Sequence, residues 1–144
     1  MPPSPVKLTF AGPAEARCLD AIHDLMDRLW RAEETVADTD RMMFTTAVLE
    51  VANNIVTHNG AGSEVSVSLA LTADPAALRA VFCDDGSPSG VDLETTALPG
   101  DFAESGRGLA LARMALDEFS YERTKDLNRW RLTRHRSGQP ASAK

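Results

Sequence analysis

Three short stretches of this chain hold residue types that can do chemistry together. The first is Glu50 with Asn54, four residues apart in FTTAVLEVANNIVTH, Phe44 to His58. The second is Asp84-x-Gly86, directly after an apolar run. The third is Gly106-x-Gly108, at the start of another apolar stretch. A carboxylate can take a proton from an attacking hydroxyl. A carboxamide one helical turn later can give a neutral oxygen to Mg²⁺, which keeps several waters and bridges phosphates. A carboxylate at the Asp84 position can accept a hydrogen bond from the exocyclic amine of a base, and Gly86 leaves room for close backbone approach. A glycine-flanked turn at a helix N-terminus offers backbone N–H groups and a favourable dipole to phosphate. Each signal is weak alone, since Asp-x-Gly is commonly a turn and Gly-x-Gly a flexible junction. Their order within one short chain gives them force if the ligand is a nucleotide with Mg²⁺.

These residues need elements to place them. Steps of roughly 100° per residue put Phe44, Val48, Val51 and Ile55 in one stripe within about 40°. Glu50 and Asn54 fall together on its flank, while Asn53 points nearly opposite. The pair fits a reactive edge, and it also fits a surface helix with incidental polar residues. Val6 to Phe10 alternates as a short strand, broken at Gly12-Pro13, with Pro13 suited to the first turn of a helix. That helix runs from Ala14 to about Ala32 with Leu19, Ile22, Met26 and Leu29 inward. Its outer face of Asp20, Asp24, Asp27 and Arg28 is either solvated or a partner surface. Glu33 to Asp40 reads as a connection, with Asp38 or Asp40 as the cap of the organising helix.

Ser63 to Leu71 is a strand with Val65, Val67, Leu69 and Leu71 on one face. Leu78 to Cys83 is the next and leads into Asp84. Ser87 to Ser105 reads as a long irregular loop, and loops of this length are usually functional or disordered. Leu109 to about Asp117 is a helix, Glu118 to Arg123 a strand, Lys125 to Asn128 a polar turn, and Arg129 to Arg134 the last strand. Strands joined by short turns favour an α+β, two-layer sandwich: a mixed, mostly antiparallel sheet with helices on one face. The expected organisation is a disordered 1–5, one domain over 6–135 and a flexible tail over 136–144.

Composition narrows the function classes. The 144 residues suffice for one domain with a real core. A net charge of -6 argues against direct nucleic-acid binding, which wants a basic face. No apolar run approaches the ~20 residues of a membrane span, and the N-terminus lacks a signal-peptide pattern. A cytoplasmic location is the expectation, with Cys18 and Cys83 reduced rather than bridged.

The segments also resemble a known family. AVLEVANNIVTH is similar to the N box of the GHKL (Bergerat-fold) ATP-binding domains. CDDGSPSG is similar to their adenine-binding G1 box, and SGRGLALARMALDEFSYER followed by NRWRLTR to their G2 box and closing strands. The likeness runs from Val6 to about Arg134 and is nearest to the small serine/threonine kinases that act as anti-sigma factors, the RsbW and SpoIIAB type. It implies ATP and Mg²⁺ as cofactors. By the same resemblance Glu50 is the catalytic base, Asn54 the Mg²⁺ ligand, and Asp84 the adenine-reading carboxylate with Gly86 beside it. Gly106, Arg107, Gly108 and Leu109 match the phosphate-side turn. Thr133 matches a hydroxyl that holds adenine through water, although a strand threonine is also a plain β-former. One departure stands out: Pro88 occupies the place of the usual second G1 glycine, which stiffens the start of the loop.

The function implied is transfer of the γ-phosphoryl of ATP to a small anti-anti-sigma partner of the STAS type, together with sequestration of a sigma factor, in a chain able to form a homodimer. The alternative is a non-catalytic ATP-binding switch that holds a phosphatase or a response regulator. A third reading is a domain of this fold that no longer binds nucleotide.

Overall fold

The structure, a computed structural model, describes residues 5–59, 64–88 and 104–137 of the chain. Eight elements follow in the order β1 (Val6–Pro13), α1 (Ala16–Ala32), α2 (Asp38–Asn59), β2 (Ser66–Ala73), β3 (Ala77–Asp84), α3 (Glu104–Ala115), β4 (Glu118–Thr124) and β5 (Leu127–His135). The strands form one sheet in the order β1-β2-β3-β5-β4. All four pairings are antiparallel, so the sheet is not mixed. The fold is α+β, as the strand and helix order led one to expect.

Alternation divides the sheet into two faces. Val67, Leu69, Leu71, Leu78, Ala80, Phe82, Trp130 and Leu132 are buried beneath the helices. The helices answer with stripes at three- and four-residue steps: Ile22, Leu25, Met26 and Leu29 from α1, and Phe44, Val48, Val51 and Ile55 from α2. Trp130 sits under Tyr121 at 4.6 Å and Phe119 at 6.1 Å between ring centroids. α3 packs chiefly on α2. Asp20, Asp24, Asp27 and Arg28 lie on the exposed side of α1.

Several boundaries differ from the sequence reading, each for a local reason. β1 continues through Gly12 and Pro13, which pair with Val67 and Ser66. β1 is an edge strand, where the missing proline N–H breaks no ladder. α2 begins at Asp38, a turn and a half before Phe44. Asp40 is fully buried and does not cap it, since its carboxylate accepts from Arg134 Nε at 2.9 Å and from Ser137 N at 2.8 Å. The chain therefore stays anchored beyond 135. Arg136 donates to Asp74 O at 2.8 Å and Thr35 Oγ1 at 2.9 Å. Residues 1–4 and 138–144, most of the expected disordered start and tail, lie outside the described residues.

Two hairpin turns set the registers near the site. In β2–β3, the Asp74 carboxylate accepts from the N–H groups of Ala76 at 2.7 Å and Ala77 at 2.8 Å, a side-chain-closed turn. In β4–β5, Lys125 takes the left-handed conformation with φ of 54°, and Thr124 pairs with Leu127 across it. That turn makes Leu127 and Asn128 strand residues, where the polar run had suggested a loop.

Candidate functional site

α2 holds two of the candidate residues on the side expected from its periodicity. Asn54 is 8% exposed, while Asn53 is exposed. Glu50 is half-buried. It borders an open groove of about 330 Å³ between α1 and α2, shared with Leu19, Asp20, His23, Leu49 and Asn53. On its other side Glu50 meets α3. A Cβ built on Gly108 would collide with Glu50 Oε1 and stand 3.3 Å from its Cδ. The glycine at 108 thus makes the room that the carboxylate fills. Leu109 beside it is 1% exposed and joins the core.

α3 starts earlier than the glycines suggested. Its first described residue is Glu104, so Gly106 and Gly108 lie inside the helix rather than ahead of it. The free N–H groups of a helix belong to its first four residues, which here are 104–107. Gly106 and Arg107 contribute to that end through backbone, and the Arg107 side chain lies outside the description. Gly108 serves by its missing side chain. Residues 89–103, including Gly90, are also outside the description.

Asp84 ends β3 on the helix-covered face and is 3% exposed. Its Oδ1 accepts from Gly86 N at 3.0 Å, which folds the Asp-x-Gly segment into a tight turn. The adjacent Asp85 does different work: its Oδ1 accepts from Ser66 N at 2.8 Å, tying the loop to the start of β2. The two neighbouring carboxylates are separated by strand parity, one turned inward and one closing the sheet end.

A residue outside the three motifs completes this corner. Asn128, 2% exposed on β5, pairs with Asp84 in the ladder. Its Nδ2 donates to Asp84 Oδ1 at 2.9 Å, to Ser87 O at 2.9 Å and to Gly86 O at 3.3 Å. Its Oδ1 accepts from Tyr121 Oη at 2.5 Å and Arg123 Nη1 at 3.2 Å. Arg123 Nη1 also donates to Gly86 O at 2.6 Å. Sequence reasoning placed Asn128 in a turn. Counting back by twos from Trp130, a core residue, would have put it on the inward face.

The same parity corrects the place given to Thr133. It pairs with Arg79 of β3 and Glu118 of β4 on the outer face of the sheet. Asp84 belongs to the inner face with Phe82 and Asn128, so Thr133 is not brought to it. Asn128 is the β5 residue that reaches Asp84. Among the described residues no group of three or more His, Cys, Asp and Glu could hold a metal ion, and Asn54 is a single neutral oxygen donor.

Comparison with known proteins fits this architecture. A family model described as histidine kinase-like ATPase domain matches residues 12–134. The chain belongs to that family. The matched span takes in Glu50, Asn54, Asp84, Gly86, Gly106, Arg107, Gly108, Leu109 and Thr133. Among solved structures, the fold is similar to that of the RsbU and RsbW domains of Rv1364c from Mycobacterium tuberculosis, with a TM-score of 0.58 and 22% identity. The match covers 93% of this chain and 33% of that one, so the chain spans about a third of the relative's length. No curated protein matches the chain. As a histidine kinase-like ATPase domain, the protein packs α2 against α3 on one side and over β3 and β5 of the sheet on the other. No helix among the described residues is long and apolar enough to cross a membrane.

Proposed function

We propose that the chain is an ATP-dependent serine/threonine kinase of a partner-switch system, acting on a small anti-anti-sigma partner and holding a sigma factor in the alternative complex. The observation that carries this reading is the seat of Glu50: a half-buried carboxylate set against side-chain-free Gly108 near the start of α3, with an open groove on its other side. A helix start that can receive phosphate and a proton acceptor beside it are what phosphoryl transfer to a hydroxyl requires.

The chain's residues fit a purine nucleotide. Asp84 has both of its hydrogen bonds from described residues on Oδ1, which leaves Oδ2 for a donor from the base. Asn54 supplies a neutral oxygen from the buried flank of α2, suited to a hydrated divalent cation shared with phosphate. The N–H groups at the start of α3 receive the phosphate end. Bound ATP with Mg²⁺ supplies the transferable phosphoryl group. Glu50 then orients the acceptor hydroxyl and takes its proton. The groove lined by Leu19, Asp20, His23 and Leu49 gives that hydroxyl a route from the α1 side, away from α3. The exposed Asp20, Asp24 and Asp27 make the approach acidic, which suits a partner with basic residues around its serine or threonine.

Incubation with Mg·ATP and candidate anti-anti-sigma proteins tests the reading. Label should appear on a partner serine or threonine with the unaltered chain and fall away with Glu50→Ala. No label on any partner, with Glu50→Ala indistinguishable, would refute the kinase.

A further inference from the structure

We infer that Asn128 is a positioning residue for base recognition: it fixes the Asp84 carboxylate so that Oδ2 alone is presented to the exocyclic amine of the purine. The inference rests on the reading of Asp84 as the base-contacting residue and adds what orients it. On one side of the Asn128 amide stand three groups that can only accept: Asp84 Oδ1, Ser87 O and Gly86 O. On the other side stands Arg123 Nη1, which can only donate, together with the Tyr121 hydroxyl. The amide therefore has one permitted orientation. A flip would turn its oxygen on a carboxylate and two carbonyls and its NH₂ on a guanidinium.

The consequence reaches Asp84 directly. Its Oδ1 receives two donors, Gly86 N at 3.0 Å and Asn128 Nδ2 at 2.9 Å, and both pull the carboxylate into one rotamer. The loop is held by the same set, because Asn128 and Arg123 grip the carbonyls of Gly86 and Ser87. A buried polar cluster with every member paired specifies one arrangement, and one lost member leaves the others unsatisfied. A mere clip between loop and sheet would need the carbonyl contacts only. The additional bond to Asp84 Oδ1 is what ties the clip to recognition.

Base discrimination separates the two roles. ADP presents an amine at the purine 6-position, and IDP presents a carbonyl, which a carboxylate repels. Calorimetric titration of the full chain with each nucleotide and Mg²⁺ gives the ratio of affinities. The unaltered chain should favour ADP by about tenfold or more, since a site built around a donor rejects its replacement. Asn128→Asp, nearly isosteric but without the amide donor, should bring the ratio to within about twofold while IDP affinity stays within about threefold. Tyr121→Phe keeps the ring against Trp130 and removes only the hydroxyl, so it should lower the ratio partway in a folded protein and carries the test if Asn128→Asp does not fold. An undiminished ratio in the folded variants would overturn the role of Asn128 alone. Equal binding of ADP and IDP by the unaltered chain, or no binding of either, would overturn the reading of Asp84 and this inference with it.

Discussion

The Glu50 carboxylate of α2 occupies the space into which a side chain at Gly108 of α3 would project. The two helices come together at this point because one residue has a long acidic side chain and the other has none. The obstructing atom is the far end of a flexible side chain, so it can swing away without unfolding anything. Gly108→Ala should therefore leave stability within about 1 kcal/mol of the original, the helix-propensity gain of alanine offsetting the displacement. Phosphoryl transfer should fall by about a hundredfold, the scale of a misplaced general base. In a Glu50→Ala background the second substitution should add little, as coupled positions do. Thermal unfolding and transfer rates of the three variants decide it; a Gly108→Ala enzyme of full activity would show that the seat is irrelevant.

Arg134 is the sole cation bound to a fully buried Asp40 among the described residues, at 2.9 Å, and it also donates to Ala115 O at 2.8 Å. Arg134→Ala strands a charge that water does not reach, a loss of about 3 kcal/mol or more. The hydrogen bonds from Ser137 to Asp40 soften the loss without cancelling it. Urea unfolding should show a lower midpoint with an unchanged slope. An unchanged midpoint would mean that the Ser137 hydrogen bonds alone suffice to hold Asp40.

Burial pushes the Asp74 carboxyl up, but the Arg79 guanidinium and the N–H groups of Ala76 and Ala77 outweigh it and hold the carboxyl below its ordinary range. A group lowered on folding stabilises fully above its unfolded value, near about 4, and loses that contribution as pH falls through the folded value. Asp74→Asn should cost no more than about 1 kcal/mol at neutral pH, since Arg79 is half exposed. It should also flatten the fall in stability below about pH 4. Unfolding midpoints measured across that range check the sign; parallel curves for the two proteins would refute it.

The two thiols should react unequally. Cys18 is 3% exposed, and burial pushes its thiol up, with Glu15 adding to the effect. Cys83 is half-buried on the outer face of the sheet, in a shallow depression with Ser68, Ala70 and Val81. Native alkylation followed by mass spectrometry should show one adduct, on Cys83, and a second only after unfolding. Simultaneous modification of both would mean that α1 opens readily.

Much of this was legible in the residues. The element order follows from changes of period between two and about 3.6, and the stripe of α2 by itself separates Asn54 from Asn53. The likeness of three motifs pointed to the family that residues 12–134 match. What stayed hidden depended on contacts between distant segments. Lys125 to Asn128 is polar enough to pass for a turn, and only the left-handed Lys125 reveals that the reversal is confined to two residues. Asp40 looked like a cap because its partners lie at Arg134 and Ser137, almost the whole chain away. Thr133 was matched by residue type, and parity along β5 sent it to the opposite face.

The bond between Asn128 and Asp84 spans 44 positions of sequence. It acts as a clasp: β3 ends at one partner, and after α3 and β4 the chain is fastened again beside the same point by the other. The stretch inside that bracket carries Gly108, Tyr121 and Arg123, so the seat of Glu50 and the cover over Trp130 both hang from one closure.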